Sequence, residues 1–183
     1  MSDEKLIEAC LQGKEIACQE LFERFSPKMM GVCLRYAIDE DEAQDMLQDG
    51  FIKVFKKLKS YNAQGSFEGW IRRTIVNTCL DHIRKNKNKK LNVDITEVTS
   101  NESGVDELVT SDLATQELLK LIQQLPTGYR TVFNMFAIEG YSHKEIGDEL
   151  GISENTSKSQ FRKAKLQLQE WIKAIELNWE RSE

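Results

Sequence analysis

Between Tyr141 and Lys165 the chain concentrates side chains that can read a nucleic-acid groove. Lys158, Ser159, Gln160, Arg162 and Lys163 follow one another closely, with Thr156 just before them. Amide, hydroxyl, lysine and guanidinium groups are donors that suit base edges and phosphates. For them to act together, they must sit on a helix held at a set angle. The flanking residues predict that arrangement. Ser142 with Glu145 forms a capping-box pair that starts one helix. Ile146 and Leu150 form its buried stripe. Gly151 falls where a helix ends in the left-handed conformation, and Ile152 plugs the turn. Ser153 caps a second helix, with Phe161 and Ala164 on its inner side. The spacing therefore predicts a helix-turn-helix with a DNA-facing second helix. His143 lies in the first turn, where the sequence leaves an exposed side chain near DNA and a special role both open.

A second set of polar residues lies earlier. Asp45, Gln48 and Asp49 share one side of a predicted helix. Carboxylates and an amide in adjacent turns can pair with arginines of a protein partner. Downstream, Tyr61, Phe67 and Trp70 are interleaved with basic residues, the pattern on which single-stranded bases stack. No Ser-His-Asp or Cys-His constellation, phosphate loop or metal-ligand cluster stands out, so an enzyme and a metal or cofactor are not expected. The cysteines, Cys10, Cys18, Cys33 and Cys79, form no CxxC pair and fall among helical apolar positions. They read as buried reduced thiols. Cys79 and His82 share a face at i, i+3, but two ligands do not make a zinc site.

Charge separates these regions. The chain has 183 residues and a net charge of −5. Counted along the sequence, residues 1–50 carry net −7, residues 51–90 net +9, residues 91–125 net −6 and residues 126–183 net −1. The +9 block holds 11 basic and 2 acidic side chains and is a footprint for phosphate. The acidic block before it calls for a different partner, such as a basic protein surface.

The elements that must position these groups are helical. With 40% hydrophobic and 30% charged residues and only two prolines, a soluble all-α chain is expected, long enough for one domain of ordinary size or two small ones. No apolar run is long enough to span a membrane. The N-terminus lacks the apolar core of a signal peptide, so a cytoplasmic location is expected. Residues 3–37 read as helix, broken at Gly13, with a kink or restart at Ser26-Pro27. Asp39 to Glu42 place acids at the next helix N-terminus. Ala43, Met46, Leu47, Phe51, Val54, Phe55 and Leu58 then form a helical stripe. Residues 60–66 read as a loop, and Phe67 to about Lys85 as helix. A polar stretch from Asn86 to about Asp112 reads as a linker. Leu113 to Leu125 is amphipathic. A helix with Val132, Phe133 and Phe136 ends at Gly140. Trp171, Ile172, Ile175 and Trp179 pack the last helix.

Three segments in order resemble an extracytoplasmic-function (ECF) sigma factor, the small two-domain type of bacterial RNA polymerase specificity subunit. They are Asp41 to Phe55 (DEAQDMLQDGFIKVF), Phe67 to Arg84 (FEGWIRRTIVNTCLDHIR) and Leu125 to Lys165. The resemblance implies a core-binding and minus-10 domain over residues 1–90, a linker over 91–112 and a minus-35 domain over 113–183. It implies that Asp45, Gln48 and Asp49 grip core polymerase, through its beta and beta-prime subunits. The loop from Tyr61 to Phe67, with Asn62 and Ser66, would form a pocket for a base flipped out of the stack, and Trp70 would belong to the same minus-10 surface. Asn77 and Asp81 would contact minus-10 bases, and Arg72, Arg73, Arg84 and Lys85 phosphates. Ser142, Thr156, Lys158, Ser159, Gln160, Arg162 and Lys163 would form the minus-35 surface. Promoter DNA, double- and single-stranded, is the implied nucleic-acid partner. An anti-sigma factor or a DNA-bound recruiting protein is a further one. Ser157 stands where the family pattern has an apolar residue, so the reading helix is expected to pack less firmly. The alternative is a free-standing helix-turn-helix regulator, which would leave residues 41–58 and the aromatic-basic block without a task.

Overall fold

The computed structural model describes residues 1–91 and 113–180. Of the polar stretch expected to be a linker from Asn86, residues 86–91 instead continue the preceding helix, and the rest lies outside the described residues. The described residues form helices and turns and no strand. No helix among them is long and apolar enough to cross a membrane. The chain divides into two units, Met1–Ser111 and Asp112–Glu183.

In the first unit, α1 (Asp3–Leu11), α2 (Glu15–Tyr36), α3 (Glu40–Lys57) and α4 (Phe67–Leu91) pack on one another, with a short 3-10 turn at Leu58–Ser60. The chain does break at Gly13, whose φ of +76° is a conformation that favours glycine. It does not restart at Ser26-Pro27: α2 runs through the exposed Pro27 without interruption. Leu21, Phe25, Met29, Val32 and Cys33 are all buried on either side of it. Their packing holds the helix across the one backbone donor that proline removes.

Asp39 caps α3 by accepting from the Glu42 backbone N–H at 2.8 Å, and Glu42 reaches back to the Ile38 N–H at 2.7 Å. Ala43, Met46, Phe51 and Val54 bury the inner stripe. Gly50 sets how closely α3 approaches α4, because a Cβ there would overlap Cδ1 of the fully buried Ile75. Cys10, Cys33 and Cys79 are buried free thiols, and Cys18 is half-buried. The Sγ atoms of Cys33 and Cys79 lie 4.0 Å apart. Burial, then the neighbouring Cys18, pushes the Cys10 thiol up to about 12. That disfavours a reactive thiolate there.

The second unit comprises α5 (Leu113–Gln124), α6 (Thr127–Phe133), a π-helical turn at Asn134–Ile138, α7 (His143–Leu150) and α8 (Glu154–Glu180). Leu121, Ile122, Leu125, Ala164 and Leu168 form its core, with Tyr129, Phe133, Trp171 and Ile175 packed against it. Ile172, expected in that packing, is instead exposed. The α8 stripe advances through Ala164, Leu168, Trp171 and Ile175, and position 172 lies off it. Phe161, expected to be buried, is half-buried. Buried Arg130 donates to the Gln123 carbonyl at 2.7 Å and so closes the end of α5.

Candidate nucleic-acid interface

On α3, Asp45, Gln48 and Asp49 are exposed, and Ile52, 44% exposed, extends the same stripe. Asp49 is not free of the fold. Its Oδ2 lies 2.8 Å from Nε2 of His82 on α4. Two further contacts join these helices: Asn86 donates to Glu42 at 2.7 Å, and Lys53 donates to Asp81 at 2.8 Å. The residues that side-chain chemistry suggests for a protein partner therefore lie beside a polar seam that leads to α4.

Along α4, Trp70, Arg73, Asn77, Asp81 and Arg84 follow helical spacing on one face. Arg73, Asn77, Arg84 and Lys85 are exposed, and Arg72 and Asp81 are half-buried. Asp81 accepts from Lys53 at one oxygen and from Arg84 at the other, the latter at 3.0 Å. Partial burial raises its carboxyl pKa, and the Lys53 and Arg84 contacts more than offset this. The group lies below its ordinary value.

The loop before α4 is built on aromatic packing. Tyr61 has ring centroids 5.1 Å from Phe67 and 5.5 Å from Trp70, and Phe67 and Trp70 are near-parallel at 6.0 Å. The Tyr61 hydroxyl donates to the Gly65 carbonyl at 2.9 Å. Asn62 accepts from the Gln64 N–H at 3.2 Å, an Asx turn. Ser66 accepts from the Gly69 N–H at 3.1 Å and caps α4. Phe67 is only 2% exposed and packs edge-on against Phe25. In this arrangement it supports the loop and has no open ring face for a base. Tyr61 and Trp70 are half-buried and retain some accessible surface.

The turn between α7 and α8 has the predicted local chemistry. Ser142 and Glu145 form a reciprocal capping box, and Gly151 has φ +65°. Gly147 permits the turn, since a Cβ there would stand 2.8 Å from the Ile152 carbonyl oxygen. The seven residues expected on the reading surface fall into different settings. Ser142 is engaged in its cap, and Thr156 in the Ser153 cap, at 3.0 Å from its N–H to the Ser153 hydroxyl. The Ser159 hydroxyl donates to the Thr156 carbonyl at 3.0 Å. Lys158 pairs with Glu154 at 2.6 Å. Lys163 stands 6.0 Å over the Tyr129 ring. Gln160 is half-buried and turns toward Gly128 on α6. Arg162 is exposed.

Ser157, by contrast, is fully buried and lies 2.9 Å from Nδ1 of His143. The imidazole stacks on Phe136 at 4.1 Å and meets Phe161 edge-on at 5.8 Å. Its pKa is held below the ordinary value, first by burial and then by the Lys158 charge. His82, Lys53, Arg130 and the His143–Ser157 pairing were not assigned by sequence reasoning. The contacts of His82, Lys53 and the His143–Ser157 pair join residues 14 to 33 positions apart on different helices, and Arg130 reaches back across a turn to a backbone carbonyl, so no helical spacing announces them.

These two helical units match known families in sequence. Residues 21–89 match Sigma-70 region 2, and residues 115–168 match Sigma-70 region 4. The chain belongs to the sigma-70 family, as an ECF sigma factor that directs RNA polymerase in promoter recognition. It is 26% identical over 156 residues to the ECF RNA polymerase sigma factor SigE of Mycolicibacterium smegmatis, covering 84% of this chain. This chain spans only 60% of that protein's length. It is 25% identical to the RNA polymerase sigma-H factor of Pseudomonas aeruginosa, over 89% of this chain and 90% of that one. With the ECF RNA polymerase sigma-E factor of Haemophilus influenzae the identity is 23%, over 96% and 97%. The fold is similar to that of the sigma factor RpoE of Bartonella quintana, solved with the anti-sigma factor NepR. The TM-score is 0.57 at 21% identity, covering 85% of this chain and 96% of that one. Sigma factors are not enzymes. The region 2 match also removes the alternative of a free-standing helix-turn-helix regulator, because residues 21–89 have a polymerase-linked identity of their own.

Proposed function

We propose that the exposed α3 stripe of Asp45, Gln48 and Asp49 grips core polymerase through its beta and beta-prime subunits. Its carboxylates and amide offer acceptors to arginines of a partner surface. We assign minus-10 recognition and melting to the loop from Tyr61 to Ser66 and to the outer face of α4. There Trp70 and Tyr61 offer ring surface to an unstacked base, and Asn77 offers both a donor and an acceptor. Arg72, Arg73, Arg84 and Lys85 take phosphates. In the second unit Arg162 is the guanidinium of the reading surface, supported by Lys158 and Lys163. Lysines supply point charges and lack the planar fork that reads guanine. The minus-35 contribution is accordingly weak, and a DNA-bound protein that recruits the holoenzyme would compensate by raising local concentration. The functional boundaries proposed are residues 1–90, a connecting segment over 91–112 and residues 113–183. An anti-sigma factor is proposed as a regulatory partner, as in the B. quintana complex. The exposed Ile16, Phe22 and Ile52 offer it apolar surface. All these partners place the chain in the cytoplasm.

The observation that carries this reading is the opposed chemistry of two adjacent helices: acceptors exposed on α3, cations and an amide exposed on α4. The test is replacement of Gln48 and Asp49 together by lysine, followed by gel filtration with core polymerase. Losing charge-paired contacts of this kind costs about 2–5 kcal/mol of binding. Co-elution should disappear while helical circular dichroism is retained. Undiminished co-elution would remove the α3 assignment.

A further inference from the structure

We propose that Asp81 is a specificity-determining counter-charge: it occupies Lys53 and Arg84 and so limits indiscriminate binding of nucleic acid by the basic face of α4. The proposal rests on the reading of α4 as the minus-10 face and gives Asp81 a role other than base recognition. Residues 51–90 carry 11 basic side chains and only two acids, Glu68 and Asp81. Glu68 pairs with Lys28 of α2 at 2.7 Å, away from this cluster. Asp81 is thus the carboxylate set within the basic block. It spans two helices, with Oδ2 on Lys53 of α3 at 2.8 Å and Oδ1 on Arg84 of α4 at 3.0 Å.

Arg84 is among the cations assigned to phosphates, and Lys53 reaches the same carboxylate from the adjoining edge of α3. A phosphate arriving there must displace the carboxylate from them or accept its repulsion. The three side chains are 36%, 43% and 44% exposed, so the contacts are of the weak, solvent-screened kind. Such a pair does not block DNA permanently. It sets a threshold that a strand meets once polymerase holds it close, because tethering supplies a high effective concentration. A strand in free solution lacks that help. Binding is thereby weighted toward contacts that depend on base identity and away from charge alone.

The test uses the full-length protein and a single-stranded oligonucleotide of non-promoter sequence, with affinity measured by fluorescence anisotropy across a salt titration. Asp81→Asn retains the size and one acceptor but removes the charge. Gaining one effective phosphate contact steepens the log–log salt slope by about 0.7, which at about 0.1 M salt is on the order of fivefold tighter binding. Adding Lys53→Met to Asp81→Asn should bring affinity and slope back toward the wild-type values. In reconstituted holoenzyme, Asp81→Asn should lower the ratio of promoter to scrambled-promoter binding. A residue that reads a base, or merely braces α3 against α4, predicts unchanged or weaker binding with an unchanged slope, and that result overturns the proposal. Arg73→Ala and Lys85→Ala separate the two levels of the argument. If they weaken binding while Asp81→Asn does not strengthen it, the counter-charge role is wrong. If none of the three alters binding, α4 is not the nucleic-acid face and both readings fail.

Discussion

Replacing Ser157 and His143 singly and together tests how the second unit holds its reading helix. Ser157 is fully buried on α8, and the ring nitrogen 2.9 Å away belongs to the first residue of α7. Ser157→Ala removes the hydroxyl and leaves Nδ1 of His143 without its partner. An orphaned buried polar group costs about 1–3 kcal/mol. His143 is half-buried, so water recovers part of the loss and about 1 kcal/mol is expected. His143→Phe keeps a ring against Phe136 and Phe161 but removes the partner of the Ser157 hydroxyl, with a cost of similar size. Replacing both groups with apolar ones removes the mismatch. The double variant should therefore be more stable than the two single losses predict, by a coupling of about 1 kcal/mol. Urea unfolding of a Trp70→Phe background reports on the second unit, because Trp171 and Trp179 then supply the fluorescence. The pH dependence has a definite sign. The folded state holds His143 below its ordinary value of 6.5. Its contribution is complete above pH 6.5 and falls as the pH is lowered toward the folded value, because the unfolded chain takes up the proton first. His143→Phe should remove that component of the acid-side loss. Additive single variants, or an acid limb unaltered by His143→Phe, would refute the pairing as a source of stability.

Phe67 and Trp70 should separate fold from function. Phe67→Ala empties a buried site and should destabilise the first unit by about 3–5 kcal/mol, read from its melting curve. Trp70→Ala removes a half-buried ring, so its larger effect should be on strand opening, measured by permanganate reactivity of promoter thymines. Gly147→Ala would normally favour a helix by about 1 kcal/mol. Here its Cβ would stand 2.8 Å from a backbone oxygen, an overpacking that costs about 1–3 kcal/mol. The second unit should lose stability and DNA binding while polymerase still co-elutes; a gain in melting temperature would contradict the close approach at Ile152.

Much of this protein is legible in its sequence. The Ser142–Glu145 capping box, the left-handed Gly151 and the break at Gly13 are local devices, written in residue types that tolerate few other conformations. The amphipathic stripe of α3 is likewise a property of spacing, and so is the all-helical class. The segments that resemble sigma regions 2 and 4 could be read in order because they are contiguous. Where local rules failed, a tertiary contact had prevailed. A restart was one of the two outcomes expected at Pro27, yet packing on both sides carries α2 through it as one helix. Phe67 looked like a base platform because it sits among lysines and arginines, and only the fold shows it turned inward against Phe25. Ser157 looked like a flaw in an apolar stripe. It is matched by His143, fourteen positions earlier on another helix. Asp49 and Asp81 looked like open acceptors and are engaged by His82, Lys53 and Arg84. By itself, the sequence determined which segments coil, where the capped and glycine-ended ones start or stop and which faces are apolar, because those follow from propensity, capping and period. Which polar groups remain available to a partner was decided by tertiary structure, because a hydrogen bond between helices joins residues whose separation along the chain carries no signal of their proximity.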